Sequence, residues 1–158
     1  MSGFISSPAP AASPPGETLD FGAFWPEIDI NHFRDSQRIG GTLIPPARVK
    51  TALINAVMTV EDDLAVWLAT QRAAGYTMLA DVPATQIADE SRLVLRWRQA
   101  VYGIATADLA ETHADVTVTG TGQARAGELD WRADDHRRNA LQAIRAIKGK
   151  DRTTVELI

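Results

Sequence analysis

The spacing of apolar residues predicts a long amphipathic helix in the first half of the chain. Between Ala47 and about Ala74, apolar residues recur every three or four positions, at Val49, Leu53, Ala56/Val57, Val60, Leu64 and Trp67/Leu68. This is the period of an α-helix with one buried face. Pro45 and Pro46 suit the first helical turn, and Gly75 favours an end just before it.

A second long helix is predicted to run to about Thr112, with Asp89 or Ser91 as its N-cap. Its apolar residues form two stripes, one of Leu93, Trp97, Val101 and Ile104 and another of Leu95, Tyr102 and Leu109. A helix that is apolar on two sides is packed on two sides. We therefore expect this helix to lie at the centre of a bundle.

Two other helices complete the predicted bundle. A short one is capped by Asp29 or Asn31 and runs to about Ile39. The last one runs from about Glu128 to Lys148. The pattern as a whole predicts a mainly α protein, a small bundle of about four helices with a long central antiparallel pair.

Three segments lack helical periodicity. Residues 1–23 form an arm rich in Pro and Ala, a composition that favours an extended backbone. Residues 115–127 are predicted as a flexible Gly/Thr loop or arm within the helical domain of residues 24–151. Residues 152–158 alternate like a strand, with Thr153, Val155 and Leu157 on one face.

Charge is distributed unevenly. The formal net charge is −4, which argues against an overall basic nucleic-acid binder. Between Trp131 and Arg152, however, the chain has seven Arg or Lys residues and only three Asp residues. Arg137, Arg138 and Arg145 lie on one side of the last helix. We expect this side to pair with acidic residues of the same molecule or of a neighbour; contact with DNA phosphates is the alternative.

The residue pattern does not indicate catalysis. The chain has no cysteine, its three histidines lack metal-ligand spacing, and its adjacent carboxylates would diverge on a helix. The stretch from Gly120 to Arg125 lacks the third glycine of a dinucleotide loop. The first residues lack the basic start and apolar stretch of a signal peptide, so we expect none, and no apolar run approaches the length needed to span a membrane. We therefore expect neither an enzyme, nor a bound cofactor or metal, nor a membrane partner.

Aromatic residues indicate places where segments meet. Trp25, between Phe24 and Pro26, is predicted to anchor the arm where it enters the bundle, and these three residues are candidate partner contacts. Trp131 lies off the main apolar line of the last helix and is a candidate interface residue, together with the three arginines named above.

An ordered set of short segments resembles the head completion (GpL) family of tailed bacteriophages, from about residue 24 to the end of the chain. The segments are Phe24-Trp25-Pro26-Glu27-Ile28-Asp29, Phe33-Arg34, Gly75-Tyr76 with Val82-Pro83-Ala84, Glu90-Ser91, Arg98-Gln99-Ala100-Val101-Tyr102, and Thr153-Thr154-Val155-Glu156-Leu157-Ile158.

The resemblance implies a structural virion protein of the neck between head and tail, assembled in the host cytoplasm. Such a protein would bind the portal ring, help to retain packaged DNA and offer a docking surface to the tail. Its partners would be the portal protein, neighbouring copies in a twelve-membered ring, and a tail terminator or tail completion protein. The family brings no catalytic residues.

The terminal strand is predicted to be completed by another chain. Residues Arg152, Thr153, Thr154, Val155, Glu156, Leu157 and Ile158 could add to a sheet edge of the portal or of a neighbouring copy. Pairing with residues 115–119 of the same chain is the rival. We further expect DNA to pass through the lumen without sequence-specific contact, with the basic last helix facing away from it. A small helical DNA-associated packaging or regulatory factor is the alternative function.

Overall fold

The computed structural model describes residues 16–39, 44–114 and 122–150, without the side chains of residues 113–114 and 122–132. Residues 152–158, and most of the predicted arm, lie outside this part of the chain. Four α-helices dominate it, which confirms the predicted fold class. They are α1 (Ile30–Ser36), α2 (Pro46–Ala73), α3 (Arg92–Ala114) and α4 (Gly122–Ile147).

The ends of α2 follow from its sequence. Pro46 occupies the first helical position, where its missing N–H costs no hydrogen bond. Gly75, with φ of +95°, takes the left-handed conformation after the last turn. There its N–H donates to the carbonyl of Arg72, and the N–H of Tyr76 donates to that of Gln71. The predicted bounds of this helix are confirmed to within a residue.

Helix α3 is the central element, as predicted, because it packs against both α2 and α4 while those two contact each other little. At Gly103 the backbones of α3 and α4 approach each other closely. A Cβ at this position would lie 2.9 Å from the carbonyl oxygen of His136 and 3.1 Å from the Cβ of Ala140. The start of α3 lies beside the end of α4, so the two helices are antiparallel.

Two short antiparallel ladders flank the helices. β1 (Thr18–Leu19) pairs with β2 (Ile28–Asp29), and β3 (Gln86–Ile87) pairs with β4 (Glu90–Ser91). The first ladder means that the last residues of the predicted arm pack against the helical domain of their own chain. A 3₁₀ helix, Leu79–Asp81, joins α2 to the second ladder.

Two helix ends differ from the prediction, whereas the N-caps of α1 and α3 are both among the predicted candidates. Asp29 is the N-cap of α1 and accepts hydrogen bonds from two backbone N–H groups, but α1 ends at Ser36 rather than near Ile39. Asp89 lies in the turn between β3 and β4, so the cap of α3 is Ser91, whose hydroxyl accepts from the N–H of Leu93 at 3.3 Å. Helix α4 begins at Gly122 rather than near Glu128, because residues 123–126 are good helix formers.

Candidate interaction surfaces

The aromatic anchor is buried in the core of its own chain. The indole ring of Trp25 stacks on that of Trp97, with centroids 5.7 Å apart and planes 10° apart. Phe24 meets Trp25 edge-on at 4.9 Å, and its carbonyl accepts a 2.8 Å hydrogen bond from the N–H of Leu79. Phe24 and Trp25 are 3% and 4% exposed, so the anchoring contact is intramolecular. Contact of this segment with a partner remains a prediction that rests mainly on the half-buried Pro26.

The residues just before the anchor are attached to the helices by a backbone hydrogen bond and an ion pair. The carbonyl of Glu17 accepts from the N–H of Ile30 at 3.1 Å, and the carboxylate of Glu17 forms an ion pair with Lys50 in α2. Phe21 packs edge-on against Trp97. The chain is therefore part of the folded domain from about Glu17 onward.

Helix α1 is tied to the bundle through polar groups that the sequence pattern did not single out. The hydroxyl of Tyr102 and Nδ1 of His32 are hydrogen-bonded at 2.9 Å. Burial raises the pKa of Tyr102 to about 12. Arg34 is buried and donates to the carbonyl of Ile44 at 3.0 Å, and burial lowers its pKa. Phe33 packs edge-on against the ring of Tyr102, so both Phe33 and Arg34 have a structural role.

The basic side of α4 is partly neutralised within the molecule. Arg137 forms an ion pair with Glu111 in α3, and this hydrogen bond raises the pKa of Arg137. Arg138 pairs with Asp135 one turn earlier on α4. The expectation that acidic residues of the same molecule pair with this side is confirmed for these two arginines.

A basic groove of about 810 Å³ lies between the start of α3 and the end of α4. Its charged lining consists of Arg92, Arg96, Arg145 and Lys150, and none of its lining residues is acidic. Of these four, only Arg145 is a predicted interface residue. Arg92 and Arg96 stand four positions apart on α3, so they share a face, and only the antiparallel packing brings them beside α4.

A second, smaller depression of about 370 Å³ is lined by polar groups that already have partners. Arg98 donates two hydrogen bonds to the carboxylate of Glu90, at 2.5 and 3.0 Å, and the pair raises the pKa of Arg98. His32 and Tyr102 line the same depression. Across residues 16–39, 44–114 and 122–150, no group of three or more metal-ligating side chains converges.

The outer face of α2 carries three of the six large apolar side chains that are exposed in the described part of the chain. We use this name for the exposed stripe opposite the buried side of α2, formed by Thr51, Ile54, Asn55, Met58, Asp62, Ala65, Val66 and Ala69. Its three large apolar side chains are 43%, 52% and 84% exposed, in chain order. Asp62 is its one charged residue, and no Lys or Arg occurs between Lys50 and Arg72.

Hydrogen bonding makes this face still less polar. The Thr51 hydroxyl donates to the carbonyl of Ala47 at 3.0 Å, and at the edge of the face Thr59 donates to that of Asn55 at 2.9 Å. Both threonine hydroxyls therefore already have an acceptor in the backbone of α2. Exposed apolar side chains that cluster in this way mark a candidate site for contact with another macromolecule.

The remaining predicted interface residues lie outside the described part of the chain. They are residues 152–158 and the side chain of Trp131. No helix in the part that the structure describes is long and apolar enough to cross a membrane.

These features define the class of the protein. It is a small helical protein whose candidate sites, the basic groove and the outer face of α2, suit contact with other macromolecules. The chain belongs to the phage head completion protein (GPL) family, whose model matches residues 19–158. It is accordingly a structural component of a bacteriophage particle. No solved structure matches it significantly.

Two curated relatives agree with this assignment. The chain is 33% identical over 156 residues to the head completion/stabilization protein of Escherichia phage P2, covering 99% of this chain and 90% of that protein. It is 28% identical over 135 residues to the probable head completion/stabilization protein of Haemophilus phage HP1 (strain HP1c1), covering 85% and 88%.

Proposed function

We propose that this protein is a head-to-tail connector that closes the filled head. It binds the portal ring in the neck, helps to retain packaged DNA and provides the surface on which the tail docks. The family match over residues 19–158 carries this proposal. The broad outer face of α2 supports it, because a surface of this kind suits a subunit of a larger assembly.

Neighbouring copies form a twelve-membered ring on the portal. Imaging an assembled neck tests this by counting the copies. DNA passes through the lumen without sequence-specific contact. A lumen that lets DNA slide is neutral or acidic, since a basic lining would hold phosphates. The side of α4 that carries Arg138 and Arg145 therefore faces the portal or a neighbour rather than the DNA.

The terminal strand, Arg152–Ile158, attaches the protein to the portal or to a neighbouring copy by adding to a sheet edge. One such strand binds weakly, and repetition around a ring makes the attachment strong. Deleting residues 152–158 tests this. We expect portal binding to be lost in a pull-down while the melting temperature is unchanged. A large drop in melting temperature with portal binding retained would instead favour pairing within the chain.

A DNA-associated factor is the second candidate function, and the basic groove is the observation that favours it. If the groove binds phosphates, replacing Arg92 and Arg96 by Gln should weaken duplex binding and reduce its salt dependence, by a slope of about 2 for two lost contacts. Replacing Arg137, which already pairs with Glu111, is the matched control. If DNA binding is negligible at physiological salt, this candidate is removed and the connector is unaffected.

A further inference from the structure

The outer face of α2 lies on one flank of the molecule, and a basic face of α4 lies on another. Because α3 packs between α2 and α4, the faces of these helices that point away from α3 are separated by the thickness of the bundle. On α4 this face includes Arg138, Leu141 and Arg145, all exposed. Arg138 also pairs with Asp135 on its own helix, and Arg145 also borders the basic groove. Leu141 is 55% exposed between the two arginines.

The two faces match in chemistry and in spacing. On α2, Met58 is followed four residues later by Asp62, which has no ion-pair partner among the described residues. On α4, Leu141 has arginines three residues before it and four residues after it. One helical turn separates the apolar side chain from the charge in both cases, about 6 Å along the axis.

We propose that the outer face of α2 in one copy of this chain packs against the α4 face of the next copy. Met58 then meets Leu141, and Asp62 meets one of the two arginines. The proposal deepens the proposed function, on which it rests for the presence of neighbouring copies in an assembly. Two different faces on separate flanks give a head-to-tail contact. Contacts of this type close into a ring when the rotation between successive copies completes a full turn.

Cysteine trapping tests this contact directly, because the natural chain has no cysteine. Full-length Met58→Cys and Leu141→Cys proteins are mixed in equal amounts under a mild oxidant, and the disulfide-linked species are counted by mass spectrometry. Both positions are about half exposed, so the bundle should tolerate each change. Random collisions would give a fixed ratio of the mixed 58–141 dimer to each symmetric dimer. We expect the measured ratio to be higher than that value.

Ile87→Cys is the matched control, since Ile87 is 48% exposed but lies on neither face. A 58–141 yield no higher than the 87–141 yield would overturn the proposal.

A charge exchange gives the second test. Asp62→Lys should lower the 58–141 yield by about twofold to fivefold, as expected for an exposed ion pair. Arg138→Glu or Arg145→Glu on the other chain should restore it, and failure of both to do so would count against the ion pair.

The trapping result and the proposed function can fail separately. If the 58–141 contact forms but particles without the protein keep their DNA and join tails, the interface survives and the connector role does not. If the protein is needed for genome retention but shows no preferred 58–141 contact, the connector role survives and this interface is wrong.

Discussion

Replacing Trp25 by Ala tests whether the segment before α1 is part of the core or an attached arm. Trp25 is almost fully buried and stacks on Trp97 in the middle of α3. Removing a buried Trp side chain typically costs about 3–5 kcal/mol through lost burial and the cavity left behind. For a chain of this length, each kcal/mol lowers the melting temperature by about 2–4 °C. We therefore expect Trp25→Ala to lower it by about 6–20 °C.

Two variants serve as references in the same thermal scans, followed by far-UV circular dichroism. Trp25→Phe should cost less than Ala, since a ring remains against Trp97 and the Trp25 indole N–H has no hydrogen-bond acceptor among the described residues. Val66→Ala, at an exposed position of α2, should change stability by no more than about 0.5 kcal/mol. If Trp25→Ala melts within about 2 °C of the parent protein, the stacked anchor contributes little and the reasoning fails.

Three further changes test the packing of α3. Gly103→Ala should lower the melting temperature, because the clash with the His136 carbonyl costs about 1–3 kcal/mol, more than the gain in helix propensity of up to about 1 kcal/mol; an unchanged or higher value would contradict the close approach. Glu90→Gln should cost about 0.5–1 kcal/mol in urea unfolding, since the side chains of Arg98 and Glu90 are 28% and 34% exposed, and no loss would show that this pair is not stabilising. The raised pKa of Tyr102 keeps its hydroxyl protonated in the folded state after the unfolded chain has lost that proton. Its contribution is full below about pH 10 and is lost as pH rises through about 12. Urea midpoints should therefore fall more steeply over this range in the parent protein than in Tyr102→Phe, and parallel curves would refute the shift.

The helices were predictable because their signal is local. The apolar period of α2 and the two apolar stripes of α3 depend only on neighbouring residues, and the structure confirms both. The two short ladders were not predicted, since a pair of residues carries no periodic pattern. The end of α1 and the start of α4 were misplaced by a few residues for a related reason: Gly and capping signals compete with helix propensity at such positions.

The surfaces were harder to predict than the helices because they combine distant parts of the chain. The sequence indicated that Trp25 is an anchor but not that Trp97 receives it. It indicated the charge of Arg145 but not its position beside Arg92 and Arg96, which requires the antiparallel packing of α3 and α4. The apolar period located the buried side of α2. That the opposite side is a candidate interface follows only from the structure, in which Met58 and Val66 are exposed.

The most direct measurement of the central claim is genome retention in phage particles assembled without this protein. Heads are purified from a host that expresses all other structural proteins, and their encapsidated DNA is quantified before and after nuclease treatment and mixing with tails. The account predicts heads that package DNA but lose it and fail to join tails, with both defects repaired by adding the purified protein. Nuclease-resistant heads that accept tails normally in its absence would contradict it.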